Sequence, residues 1–165
     1  MKDKYQVIVI GAGPAGYHAA IRCAQLGLST ACIDKMISKD GQPTLGGTCL
    51  NWGCIPSKTL LDASHKFHEL DQGMERIGIS TGKVSIDVAK MMENKEAVVK
   101  QLTGGVSALL SGNGVDILAG TGKLLANKRV LFTDHDGVES ELAGDDIILA
   151  PGSVPVEIPA APLDD

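Results

Sequence analysis

The stretch that most restricts the fold of this chain is VIVIGAGPAGYHAA, residues 7–20. An apolar, β-branched run ends directly in glycine, so Tyr5 to Ile10 is predicted to be a buried strand. In GPAGYHAAIRCAQLG, Ala15, Ala19, Arg22, Cys23 and Leu26 recur near helical spacing, and Gly27 is placed to stop the helix. LSTACID reads as a second strand. The chain thus opens β-α-β within about 34 residues, the size of one such unit. Two parallel strands joined this way predict an α/β fold, Rossmann-like, with a parallel sheet.

The glycines at the first turn add chemistry. Gly11, Gly13 and Gly16 form G-x-G-x-x-G, a weak signal alone. Here it follows a strand, opens a helix, and is answered by an acidic residue, Asp34, closing the next strand. Gly11 permits the tight turn. Gly13 lets backbone approach a pyrophosphate, and Gly16 lets the helix pack on the strand. The helix start offers unpaired N–H groups and partial positive charge to an anion. Asp34 is placed to accept hydrogen bonds from ribose hydroxyls. A dinucleotide is favoured, and these residues alone do not separate FAD from NAD. The plain alternative is a Gly-rich turn that binds nothing.

Downstream, KMISKDGQPTL reads as a surface loop. Thr48 to about Leu70 looks helical, disturbed near Gly53 and Pro56. Asp87 to about Ser111 is a long helix with Val88, Met91, Met92, Val98, Val99, Leu102, Val106 and Leu109 as candidate apolar positions, weakened by Gly104 and Gly105. VDILAG, GKLLAN, RVLFT, GVESELAG and DIILA are short strand candidates, with DHDG at 134–137 as a hairpin turn. They predict a small antiparallel β-meander near the C-terminal third. Residues 1–150 are expected to form one domain and 151–165 an exit segment. The chain has 165 residues and a net charge of -5, and no run of Lys or Arg appears, which argues against nucleic-acid binding. Val7 to Ala20 is short and broken, a poor membrane span. No signal-peptide cleavage region is seen at the N-terminus, so a cytoplasmic or similarly reducing location is expected.

GGTCLNWGCIPSK, residues 46–58, brings two of the four cysteines close together. Cys49 and Cys54 admit three readings: inert buried thiols, a zinc site completed by His65 and His68, or a reversible disulfide. The zinc spacing fits less well, with a wide cysteine gap and a short histidine gap. In a regular helix residues five apart have Cα atoms about 8.7 Å apart, whereas a disulfide wants at most about 6.8 Å. A bridge therefore needs a distorted turn. Gly53 permits one, and Pro56 removes the N–H that would bond to the carbonyl of Trp52. A distorted bridge is the more reducible kind. Both cysteines lie near a helix N-terminus, which favours thiolate, and Lys58 adds positive charge.

GGTCLNWGCIPSKTLL resembles the redox-active segment of the flavoprotein disulfide reductases, the class I pyridine nucleotide-disulfide oxidoreductases. Leu50, Ile55 and Ser57 lean toward the dihydrolipoamide dehydrogenases among them, the flavoprotein components of 2-oxoacid dehydrogenase complexes. VIVIGAGPAGYHAAIRCAQLG and IILAPGSVP are similar to the same family at the expected places, so the resemblance spans essentially the whole chain. It implies a redox-active disulfide in which Cys49 exchanges with dihydrolipoamide and Cys54 lies against the flavin of FAD and passes it electrons. Lys58 would sit near the flavin ring. Gly11, Gly13 and Gly16 would hold the FAD pyrophosphate, and Asp34 the ribose. Gly122 matches a position at the adenine end, and Gly152 with Ser153 a second FAD-contacting turn. Pro14, Ala15, Lys35, Gly47, Thr48 and Cys49 complete the implied cofactor-binding set; no metal is implied.

Three positions depart from the family pattern. Asp34 stands in place of Glu, Trp52 in place of a smaller residue, and Pro151 in place of a Thr, losing a hydroxyl and an N–H. The family runs to roughly three times this length, as multidomain enzymes do. It includes an NAD-binding domain with its own G-x-G-x-x-G, and an interface domain whose His–Glu pair serves the partner subunit in a homodimer. Neither has a counterpart here, and His18, His65, His68 and His135 are assigned no catalysis. The chain is thus expected to be the FAD-binding portion of a longer enzyme that oxidises dihydrolipoamide, carried on a lipoyl domain, with NAD as acceptor. A glutathione- or metal-ion-reducing relative is the alternative enzyme, and a zinc-stabilised binding module the alternative class.

Overall fold

The computed structural model describes residues 1–154 and 156–160. Of the expected exit segment, residue 155 and residues 161–165 lie outside the described residues. The order is β1 (Lys4–Ile10), α1 (Pro14–Gln25), β2 (Thr30–Asp34), α2 (Gly47–Asn51) and α3 (Cys54–Gln72), then a short 3-10 turn at Glu75–Ile77. There follow α4 (Val88–Gly112), β3 (Asp116–Leu124), β4 (Arg129–Asp134) and β5 (Glu139–Leu149).

The parallel sheet runs β3-β2-β1-β5, with Val7 opposite Thr30 on one side of β1 and opposite Asp146 on the other. The expected meander is present: β4 pairs antiparallel with both β3 and β5. These ladders close the five strands into a barrel.

Expected strand breaks at Gly120–Gly122 and Gly144 are absent, because VDILAG and GKLLAN are one strand, and so are GVESELAG and DIILA. The first half of β3 pairs with β2 and the second with β4. Gly120 sits at the changeover, at φ +155, where a side chain would meet the carbonyl oxygen of Thr133. Glycine there serves a close backbone approach within a strand instead of a turn. The DHDG turn is as expected: the Asp134 carboxylate accepts from the amides of Asp136 and Val138 at 3.0 and 2.8 Å.

Both faces of β1 are covered, which explains its unbroken apolar run. Val7, Val9, Ala20, Cys32, Leu50, Val106 and Leu110 form the core under the helices. Tyr5, Ile8, Ala31, Ile33, Val130, Phe132 and Leu142 form a second core under the meander. On α1 the buried positions are Gly16 and Ala20, whereas Leu26, expected on the apolar side, is 61% exposed. The backbone contact of Gly16 with the carbonyl of Gly11 decides which side of α1 faces the sheet. On α4 the buried residues are Lys95, Val106 and Leu110, while Val88, Met92, Leu102 and Leu109 are exposed. Asp87 caps that helix by accepting from the Lys90 amide at 3.1 Å.

Candidate functional site: a glycine-lined loop braced against a cysteine pair

The carboxyl ends of β1 and β5 lie side by side, and the chain leaves β1 toward β2 on the opposite flank from β5. Parallel sheets open a crevice at such a point. Gly11 fills the first position of the turn at φ +104, and a Cβ there would overlap the carbonyl of Ala150. Gly13 is the N-cap of α1 and offers no side-chain cap, and Pro14 has no N–H to give. The first bond into the helix runs from the Tyr17 amide to the Gly13 carbonyl at 3.0 Å, so the Ala15 and Gly16 amides precede it. That arrangement suits an anion. Pro14 and Ala15 are exposed beside it.

A second glycine turn locks onto the first. The Gly46 amide donates to the Ala12 carbonyl at 2.9 Å. Gly47, at φ +60, lies so close to Gly13 that a Cβ on it would be 2.6 Å from the Gly13 Cα. Asn51 secures the loop before it, donating to the carbonyls of Leu45 and Gly47 at 3.0 Å each and accepting from the Thr44 hydroxyl at 3.2 Å. Asn51 was not among the residues singled out from sequence; its place between the two cysteines was the available sign.

The distorted turn expected between the cysteines is present. Helix α2 stops at Asn51, the amides of Trp52 and Gly53 both donate to the Thr48 carbonyl at 2.9 and 2.7 Å, and α3 restarts at Cys54. Cys49 and Cys54 are free thiols here, Cys49 half-buried and Cys54 exposed. The Cys49 thiol is pushed up, first by a hydrogen bond with the Cys54 thiol, then by burial and by the nearby Cys54 charge. The Cys54 backbone amide and the Lys58 ammonium pull the other way without prevailing. Of the two influences expected to favour thiolate, the helix start and Lys58, the Lys58 ammonium acts on Cys49 in the expected direction and is outweighed there by the paired thiol. Tyr17, also unforeseen, packs against the same core cluster as Cys49, and its phenol is raised by burial and then by the Cys49 charge. Thr48 is exposed, and Trp52 is 52% exposed at the bend.

Asp34 ends β2 on the wall of a cavity of about 340 Å³, which Lys100, Thr103, Ser107 and Ala119 also line. Its carboxylate accepts from the amides of Ala12 and of Met36, the latter at 2.8 Å. Lys35 is exposed next to it. Gly122 lies further along β3, its α-carbon turned to the side chains of Ile10 and Ile33. Gly152, at φ +75, and Ser153 are exposed just beyond β5, following Ala150 and Pro151, whose backbone approaches Gly11. Two interlocked glycine turns, open helix amides and a cavity beside the first turn fit an extended dinucleotide such as FAD.

The zinc alternative fails on geometry. Cys54 and His65 both lie on α3, eleven residues apart, which is roughly 16 Å along a helix axis. His65 instead pairs with Glu69 at 3.5 Å. Among the described residues, no group of three or more His, Cys, Asp or Glu side chains could hold a metal ion. No helix among them is long and apolar enough to cross a membrane.

A family model described as pyridine nucleotide-disulphide oxidoreductase matches residues 5–163. The chain is 43% identical over 164 residues to a dihydrolipoyl dehydrogenase of Trypanosoma brucei brucei, covering 99% of this chain and 33% of the relative. It is 44% identical over 165 residues to dihydrolipoyl dehydrogenase 3 of Pseudomonas aeruginosa, covering 99% and 34%. A leghemoglobin reductase of Vigna unguiculata is 42% identical over 163 residues, covering 99% and 30%. Among solved structures, the Cu(II) complex of the HOCl-induced flavoprotein disulfide reductase RclA from Escherichia coli superposes with a TM-score of 0.75 at 25% identity, covering 96% of this chain and 31% of that one. The chain thus spans about a third of the length of the curated relatives it matches.

Proposed function

Because this chain belongs to the pyridine nucleotide-disulphide oxidoreductase family, we propose that it is the FAD-binding, disulfide-bearing portion of an enzyme that oxidises dihydrolipoamide with NAD+ as final acceptor. The observation that carries the reading is the brace between Ala12–Gly13 and Gly46–Gly47, which sets the cysteine pair directly beside the dinucleotide turn. FAD, when bound, supplies the two-electron relay between thiols and nicotinamide. The Gly11–Gly16 turn and the Ala15 and Gly16 amides would hold its pyrophosphate. The cavity beside Asp34 would take its adenosine end, and Lys58 lies on the cysteine side.

The thiol chemistry then follows from where the cysteines sit. A dihydrolipoyl thiolate attacks Cys49 of the oxidised pair. The Cys49–Cys54 bond breaks, a mixed disulfide forms between Cys49 and the lipoyl sulfur, and Cys54 leaves as thiolate. The second lipoyl thiolate attacks the first lipoyl sulfur, releasing oxidised lipoamide and the Cys49 thiolate. The Cys54 amide and Lys58 both favour negative charge on Cys49 as it leaves. Of the two lipoyl protons, one passes to a base, which the family resemblance assigns to an interface domain, and the other to solvent. The names of the Trypanosoma and Pseudomonas relatives support dihydrolipoamide as the reductant, and with it a lipoyl domain of a 2-oxoacid dehydrogenase complex as partner.

The test is FAD titration of the chain followed by anaerobic two-electron reduction. Bound flavin with a long-wavelength absorption band that Cys54→Ser abolishes is the expected result. A chain that binds no flavin, or a band indifferent to Cys54, would refute the reading.

A further inference from the structure

The loop between β2 and α2 is folded on itself. The Ser38 amide donates to the Gln42 carbonyl at 2.8 Å and the Thr44 amide to the Met36 carbonyl at 3.0 Å, so residues 36–44 form a small hairpin. Gly41, at φ +72, turns its tip. Its stem is fixed: the Met36 amide donates to Asp34 at 2.8 Å and the Thr44 hydroxyl to Asn51 at 3.2 Å. Among the described residues, the tip, 38–42, is tied to the rest of the chain by one polar contact, the Lys39 ammonium with Glu96 of α4 at 3.7 Å. Glu96 is itself held, since the buried Lys95 ammonium donates to the same carboxylate oxygen at 2.6 Å. The cavity beside Asp34 is lined by both of the parts so joined. Pro43, Thr44 and Leu45 line it on the hairpin side, and Lys100, Thr103 and Ser107 on the α4 side, beginning one turn after Glu96.

We propose that the hairpin 36–44 is a latch on that cavity, held shut by the tie of Lys39 to Glu96, so that these two positioning residues set how long the adenosine end of a bound cofactor is retained. The proposal rests on the reading that FAD places its adenosine end there. A hairpin fixed at its stem swings clear of α4 only when its tip lets go. Exit of the ligand then waits on the tip, as it does on lids that gate release. A lone exposed ion pair is weak, because two long side chains must be ordered to make it. Here one of them is ordered beforehand. The Lys95 ammonium holds the Glu96 carboxyl below the usual carboxylate range against the opposing effect of burial, and Lys39 adds to it. Lys39 alone remains to be placed.

Lys39 is exposed and lies outside the cofactor-binding residues, so it can be changed without disturbing the core. The first test needs no ligand. In Lys39→Ala the amide order parameters of Asp40 and Gly41 are expected to fall below about 0.6, with Ile147 in β5 unchanged, whereas Lys39→Arg keeps wild-type values. Unchanged values at the tip, or an equal fall at Ile147, overturn the proposal. The second test follows flavin release from the loaded chain. Lys39→Glu, which faces Glu96 with like charge, is expected to release FAD about two to five times faster than the wild type, and Lys39→Arg to release it at the wild-type rate. FMN lacks the adenosine end, so its release should be the same in each of these proteins. FAD release indifferent to Lys39→Glu, or FMN release quickened by the same factor, overturns the proposal. Failure of the wild-type chain to bind FAD would refute the FAD reading alone, and the tip mobility would still decide whether the tie to Glu96 holds the hairpin.

Discussion

Two cysteines of this fold, Cys49 and Cys32, are both held above the ordinary thiol range, for different reasons. Cys49 is raised mainly by the Cys54 thiol beside it, while the Cys54 amide and Lys58 lower it. Removing the larger influence leaves the smaller ones. In Cys54→Ala the midpoint of the Cys49 alkylation rate against pH should therefore move down, and an upward or absent shift would contradict the pairing seen here. Cys32 is fully buried in β2, and burial, with the Asp34 charge adding to it, pushes its thiol up to about 12 from an ordinary 9.0. The folded chain then keeps a proton that the unfolded chain loses. Stability from this group is intact below pH 9 and is lost as pH climbs toward 12. Denaturant midpoints measured across that window should fall more steeply in the wild type than in Cys32→Ala, whatever constant penalty the smaller side chain adds.

At the scale of elements, the cap at Asp87 can be tested alone, because it sits on an exposed helix start. Asp87→Ala should cost about 1 kcal/mol in urea unfolding, with the flavin site unaffected. Much of the element order is readable from pattern: apolar runs for β1 and β2, the Gly53 break, and turn chemistry at residues 134–137. What pattern could not supply was the use of glycine inside strands. Gly120 is a turn signal by composition, yet in the fold it is where β3 changes partners. Likewise the buried stripe of α4 includes Lys95, whose ammonium meets Glu96 at 2.6 Å while Glu96 also reaches Lys39 at 3.7 Å. A charged residue on a core-facing stripe is invisible to hydrophobic periodicity. The site divides in the same way. Local motifs pointed to the cysteines and to Gly11, Gly13 and Gly16, whereas the bridge through Ala12 joins residues distant in sequence and has no local signature.

For the molecule as a whole, the FAD reading carries a thermodynamic consequence. A ligand that binds only the folded chain stabilises it by about 2.7 kcal/mol at one hundred times its dissociation constant. For a domain of this length that corresponds to a rise in Tm of about 5–10 °C. A thermal melt with saturating FAD should show this shift, and FMN, which lacks the adenosine end, should give a smaller one. Equal shifts with both would count against the use of the cavity beside Asp34.

The circular ladder of the sheet has a bearing on how this domain can meet anything else. Each of the five strands has a neighbour on both sides. A sheet with an outer strand offers a row of backbone groups to which a foreign strand can be added, in function or in aggregation. Among the described residues the ladders leave two half-strands in that position: Asp116–Ala119 of β3 pair on the β2 side alone, and Asp146–Leu149 of β5 on the β1 side alone. A further strand could be added to the sheet there, whereas the backbone of the meander is taken up by the fold itself.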